Sequence, residues 1–370
     1  MIYIDHAATT PLLPMAYKAM LPYLKNNFGN PSSSHKFGLI ARKIIEQARK
    51  KIANLINAEP NEIIFTSGGT ESDNLALNGA KTLFISNIEH KAVLNKALDL
   101  RRNGAKVHFL PVDNLGIVDE QILEEITNRK KGLVSIIFAN NEIGTIQNIK
   151  KMVKIAHRNN CLFHTDAVQA VGHIHIDVKE LNVDLLSASA HKFGGPKGIG
   201  FLYVKKGIRI KPLLVGGHQE NGLRAGTENV ANIIGMATAL EWQIQNMENN
   251  TRKLLRLEKI FKSKISSNFL EAKFNGYENY KLPGLISMTL PKSNSESLFH
   301  ILDLKGICAS VGAACDSQKN VISHVLKAIG FNSKESKETL RISFGYSNTL
   351  KEIEFILQII RIYFSNMLQN

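Results

Sequence analysis

The chain has 370 residues, 44% hydrophobic and 21% charged, which supports a substantial core and excludes a disordered or fibrous protein. Its formal net charge of +14 would suit an acidic or nucleic-acid partner, but the lysines are scattered among acidic residues and no aromatic-studded basic block occurs, so direct nucleic-acid binding is not expected. Met1 to His6 do not read as a secretory signal, and no apolar run approaches the roughly 20 residues that span a bilayer, so a cytoplasmic protein without membrane contact is expected.

Along the chain, Ile44, Ile45, Ala48, Ile52 and Leu55 recur at helical spacing and predict a helix over 40–56. Runs rich in Ile, Val and Phe at 62–66, 133–138 and 161–165 read as strands separated by helical stretches. Buried strands alternating with helices predict an α/β fold with a mostly parallel sheet covered on both faces. Composition changes at Gln245 to Asn250, inside a long helical pattern that starts near Asn229. That change sets the expected boundary between a large unit, residues 13–249, and a smaller α/β unit of residues 1–12 and 250–370. Beyond it, residues 285–290 read as a strand. Thr349 and Glu352 are spaced to cap each other's free N–H groups at the start of a last helix, with Ile353, Ile356, Ile359, Ile360 and Tyr363 as its buried face.

Four segments could carry chemistry. Phe65 to Asn74 contains Gly68, Gly69 and Thr70 between a strand and a helix, where free N–H groups favour a phosphate. Two glycines also occur there for turn geometry alone. Phe163 to Gln169 places Asp166 at the carboxyl end of a strand, where open α/β sheets bind ligands, although a helix N-cap would use the same residue. In Ser187 to Gly198, Lys192 stands beside His191 before a glycine-rich turn; buried, it is a nucleophilic amine, and exposed, an ordinary loop lysine. Ala309 to Ser317 is a run of small residues around Cys315, which reads as a mobile loop carrying a thiol or as a small buried cysteine. With Cys161 and Cys308, the cysteines form an odd set that matches no zinc spacing, so neither a disulfide framework nor a metal site is expected.

These segments occur in one order, together with Tyr3 to Pro11, Asn30 to His35 and Leu340 to Gly345. In that joint pattern the whole chain resembles the cysteine desulfurases, the NifS- and IscS-like enzymes of the class V aminotransferase family, which have the fold of type I pyridoxal-phosphate transferases. The resemblance implies pyridoxal 5'-phosphate held by Lys192 as a Schiff base, with Asp166 on the pyridine nitrogen, Gln169 on the ring hydroxyl, His90 stacked on the ring and Asn141 as a further polar contact. It implies phosphate donors at Gly69, Thr70, Ser189 and His191, and one more, Thr227, given to the neighbouring subunit of a homodimer. Arg341 and Asn141 would bind the substrate, Arg341 gripping its carboxylate, for which a guanidinium fork is suited. Cys315 would be the catalytic cysteine. With Lys192 as base and His90 as proton carrier, L-cysteine would give L-alanine and a persulfide on Cys315. The sulfur would pass to an acceptor protein, an iron–sulfur scaffold or a tRNA-thiolating enzyme.

The run Ala309 to Cys315 departs from the family's usual wording through Val311 and Ala313, and this form also resembles selenocysteine lyases, the alternative reading. Asp316 follows the cysteine, and a neighbouring carboxylate disfavours the thiolate, so a more alkaline activity profile is expected than with a neutral neighbour.

Overall fold

Runs rich in Ile, Leu, Val and Phe supply the strands of the central sheet. The computed structural model describes residues 1–310 and 323–367. Twelve strands are found among the described residues: β1 (Ile2–Tyr3), β2 (Ile63–Thr66), β3 (Thr82–Ser86), β4 (Lys106–Leu110), β5 (Leu133–Ser135), β6 (Leu162–Asp166), β7 (Leu185–Ser189), β8 (Gly200–Val204), β9 (Lys273–Asn275), β10 (Leu285–Thr289), β11 (Ile307–Cys308) and β12 (Thr339–Ser343).

Seven of them form the central sheet in the order β2-β8-β7-β6-β5-β3-β4. Only β8 runs against its neighbours, so the sheet is mostly parallel, as expected. Its inner strands are buried along nearly their whole length, which is why they read as continuous apolar runs rather than alternating ones. The strand expected over 133–138 ends its regular ladder at Ser135. Ile136 and Phe138 still donate to the carbonyls of His164 and Asp166, and the chain then turns through Asn140 to Gly144. The strand order reverses between β3 and β5, and a crevice at the carboxyl ends of these strands is where such sheets place ligands.

The helices that cover the sheet begin with α1 (Pro14–Lys25), α2 (Lys36–Leu55), α3 (Gly69–Leu77) and α4 (Lys91–Arg102). α2 starts four residues before the expected point because His35 caps it, its Nδ1 accepting from Gly38 N. The core of the large part joins Phe84, Phe163, Phe193 and Phe201, all with no exposed surface, to the inner faces of the helices. Burying a side chain of this size stabilises by roughly 1.5–3 kcal/mol.

A second core forms around β10 and β12 and holds Ile4, Phe261, Ile286, Leu298, Ile342, Ile356 and Ile360. The last helix, Leu350–Met367, packs into it through the apolar positions named from its sequence, and Thr349 and Glu352 cap its start as expected. One helix, Val230–Asn268, serves both cores without interruption: Ile233, Met236 and Leu240 enter the first, and Leu254, Leu257, Phe261 and Ile265 the second. On that hand-over we propose the division into residues 13–249 on one side and residues 1–12 with 250–370 on the other.

Candidate active site

A cavity of about 250 Å³ opens at the carboxyl edge of the central sheet. It is lined by Gly69, Thr70, His90, Asn141, Asp166, Gln169, Ser189, His191, Lys192 and Arg341, which are all the expected site residues except Thr227 and Cys315. Cys315 and Asp316 lie outside the described residues. Thr227 is exposed and lines a separate cavity with Glu220, Arg224 and Glu228, so this chain does not bring it to its own site.

Each wall follows from the local fold. α3 begins at Gly69, and a Cβ there would come within 2.6 Å of Val168 Cγ2, so glycine is needed to keep the helix start open beside β6. The N–H groups of that first turn and the hydroxyls of Thr70 and Ser189 gather at one end of the cavity, a donor set suited to an anion. Asp166 ends β6. Its Oδ1 accepts from Val168 N at 2.9 Å in a turn of its own, so the N-cap reading is set aside. Burial pushes its carboxyl up, and His90, the Val168 N–H and Lys192 oppose that by favouring the charged form. His90 caps α4 with its Nδ1, and burial lowers its pKa while the charge of Asp166 works the other way.

Lys192 follows β7 in a single 3-10 turn. Its Nζ donates to the carbonyls of Ala7 and Ala8, at 2.7 and 2.8 Å. The same Ala7 carbonyl accepts from Gln169 Nε2 at 2.8 Å. The amino-terminal segment is thus strapped across the lysine turn, and Thr10 tightens it by hydrogen bonds to His191 and Gly194. His191 meets Thr9 through Nδ1, and burial, then the charges of Lys192 and Lys197, lowers its pKa to about 4, so it stands neutral at pH 7. Arg341 reaches the cavity from β12 and donates to the Asn141 carbonyl at 3.0 Å and to Asp5 Oδ1 at 2.8 Å.

Sequence reasoning gave no role to Ala7 and Ala8, whose backbone carbonyls leave no side-chain signal. It also passed over Asp73, Glu142 and His324, which line the cavity. Asp73 sits on the buried face of α3, four residues beyond Gly69, a spacing that could have pointed to it. Burial and then the charge of Asp166 hold its carboxyl well above the usual range. Glu89, behind His90, has no exposed surface, and burial pushes it up to about 8 although Ser86 Oγ and Ile137 N donate to its Oε1. His324 donates from Nε2 to the Glu89 carbonyl at 2.8 Å, and Ser323 Oγ donates to Glu142 Oε2 at 2.5 Å.

The donor set fits pyridoxal 5'-phosphate: a carboxylate for a cationic ring nitrogen, a helix start with hydroxyls for a phosphate, and an amine between them for an aldehyde. An α/β fold with these groups on one sheet edge defines a pyridoxal-phosphate enzyme built around a lysine. The sequence profile of the class-V aminotransferases matches residues 2–356, and the chain belongs to that family. It is a pyridoxal-phosphate-dependent enzyme of the cysteine desulfurase kind. The cysteine desulfurase IscS of Dictyoglomus turgidum is 45% identical over 367 residues, covering 97% of this chain and 93% of that protein. The solved NifS-like protein of Rickettsia africae superposes with a TM-score of 0.90 at 32% identity, covering 99% of both chains. A structure of SspA in complex with cysteine superposes with a TM-score of 0.83 at 34% identity, over 94% of this chain and all of that one. No described helix is long and apolar enough to cross a membrane.

Proposed function

We propose that the protein takes L-cysteine, releases L-alanine and keeps the sulfur as a persulfide on Cys315 for transfer to an acceptor protein in the cytoplasm. The observation that carries this reading is the meeting of Lys192, Asp166, His90 and Arg341 in one cavity. The structure of SspA with cysteine supports the choice of substrate.

When bound, pyridoxal 5'-phosphate supplies an electron sink for the substrate's α-carbon. Lys192 would hold it covalently, Asp166 would face its ring nitrogen, His90 would stack on it, and Gln169 and Asn141 would contact the ring. Gly69, Thr70, Ser189 and His191 would hold its phosphate. Arg341 holds the substrate carboxylate and so aims the Cα–H bond at the Lys192 amine. That amine, aligned by the Ala7 and Ala8 carbonyls, takes the proton and returns it. The cysteine C–S bond breaks as an S–S bond forms on Cys315; one cysteine and one thiol give one alanine and one persulfide, with no outside oxidant.

A homodimer belongs to the same reading. The chain exposes Tyr17, Leu21, Leu24, Phe28 and Phe37 along α1, the start of α2 and the link between them, with Phe28 76% exposed. Apolar surface of this kind supports burial against a second copy, and exposed Thr227 is then available to that copy's phosphate site. The acceptor would be an iron–sulfur scaffold or a tRNA-thiolating enzyme.

Cys315→Ala tests the reading. The variant is expected to keep the cofactor's yellow absorbance and to release no sulfide from cysteine. Full sulfide release would overturn it, and release of selenide from selenocysteine far above sulfide from cysteine in the unaltered protein would favour the lyase alternative.

A further inference from the structure

Arg341 does not wait in the cavity as a free cation. Its side chain is 3% exposed, one terminal nitrogen donates to Asp5 Oδ1 at 2.8 Å, and the other donates to the Asn141 carbonyl at 3.0 Å. A guanidinium carries five N–H donors, so three remain after these two contacts, Nε among them with no partner among the described residues. Glu142 lines the same cavity and feels the charge of Arg341, but its Oε2 accepts from Ser323 and no ion pair joins it to Arg341 among the described residues. Asp5 is the acid in contact with the guanidinium among the described residues.

Orientation of the arginine is secured without Asp5. β12 is fixed by its ladder to β10, and Arg341 exchanges backbone hydrogen bonds with Ser310 at 2.9 and 3.3 Å. The Asn141 carbonyl then fixes the fork from the other side. What Asp5 adds is charge. The amino-terminal segment holds it there through the Tyr3 hydroxyl, which donates to its carbonyl, and through its bridge to Ser343.

We propose that Asp5 is an internal counter-ion that shares Arg341 with the ligand carboxylate and so weakens the clamp enough for the product to leave. This rests on the reading of Arg341 given above. Cysteine and alanine carry the same α-carboxylate and α-amino group, so a clamp at full strength would hold product as tightly as substrate. Binding the two equally gains nothing in turnover. A carboxylate 2.8 Å from the guanidinium, 16% exposed and held by the fold, lowers the pull on both.

Asp5→Asn removes the charge and keeps both the size and the Oδ1 acceptor. Titrating the holoenzyme with L-alanine in a calorimeter is expected to show binding about 5–20-fold tighter in the variant, with KM for cysteine falling by a similar factor and kcat falling as alanine release slows. Cysteamine, which has no carboxylate, is expected to bind both proteins alike. Asp5→Ala, which also loses the charge, is expected to tighten alanine too and covers the case in which the asparagine variant misfolds. Alanine affinity that is unchanged or weaker in both variants overturns the proposal. An Arg341→Gln control separates the two ideas: weak alanine binding there keeps the clamp reading whatever Asp5 does, and unchanged binding there removes the clamp reading and this proposal together.

Discussion

The two ends of the cavity are built in different ways. The cofactor end is assembled from five loops that leave one edge of a single sheet: the starts of α3 and α4, the turn after β5, the end of β6 and the turn after β7. Each contributes one to three groups, and the sheet sets their spacing while the amino-terminal segment straps the lysine turn. The proposed substrate end rests on Asn141 and, for its charge, on Arg341, which comes from the strand beside the other core and is met by Asp5 from the amino-terminal segment. A parallel sheet spreads binding over many small contributions, whereas the joint between two cores concentrates it in one charge. Damage at the first end should change the state of the cofactor, and damage at the second should change the grip on the amino acid.

The sharpest break would come from Lys192→Ala. Loss of the amine removes both the covalent anchor and the base, and activity is expected to fall by about 10⁴-fold. Borohydride reduction followed by peptide mapping should label Lys192 in the unaltered protein and nothing in the variant. A mapped label on another lysine would sink the assignment.

Arg341→Gln should act at the other end only. The lost charge-assisted hydrogen bonds, on the order of 2–3 kcal/mol, are expected to raise KM for cysteine by roughly 30–150-fold, with cofactor absorbance unchanged. Loss of absorbance in this variant would show that the two ends are not separable.

The smallest effect expected is on stability. Glu89 titrates near 8 in the folded protein because of burial, against an ordinary glutamate pKa of 4.5. Its folded pKa is raised and it is an acid, so between these two values the unfolded chain gives up a proton that the folded chain keeps. Stability therefore falls as pH rises through that window. Glu89→Gln keeps the acceptor used by Ser86 and Ile137 and cannot ionise. It is expected to melt about 2–4 °C higher than the unaltered protein at pH 8 and to show no gain near pH 4.5. An equal shift at both pH values would mean that packing, not ionisation, is at work.

Much of this was legible in the order of residues. Strand–helix alternation gave the mostly parallel sheet, and Thr349 with Glu352 gave the start of the last helix, because both signals are local. The reversal of β8 was not legible: β-propensity carries no direction, and only the short link from the Lys192 turn makes that strand run back beside β7. The resemblance named ten residues that line the cavity, yet it missed the contacts made by backbone, such as the Ala7 and Ala8 carbonyls under Lys192.

By itself, then, the sequence determined the alternating elements, the lysine, the carboxylate and the glycine turn, since each needs only its neighbours in the chain. The tertiary structure decided which charges share one small space. Asp73 and Asp166 are 93 positions apart in the numbering and line one buried cavity, and Asp5 and Arg341 are 336 apart and in contact. The protonation of the first pair follows from burial and Coulomb forces, and the pull of the second on a ligand from Coulomb forces; both act over distance in space and are blind to distance along the chain.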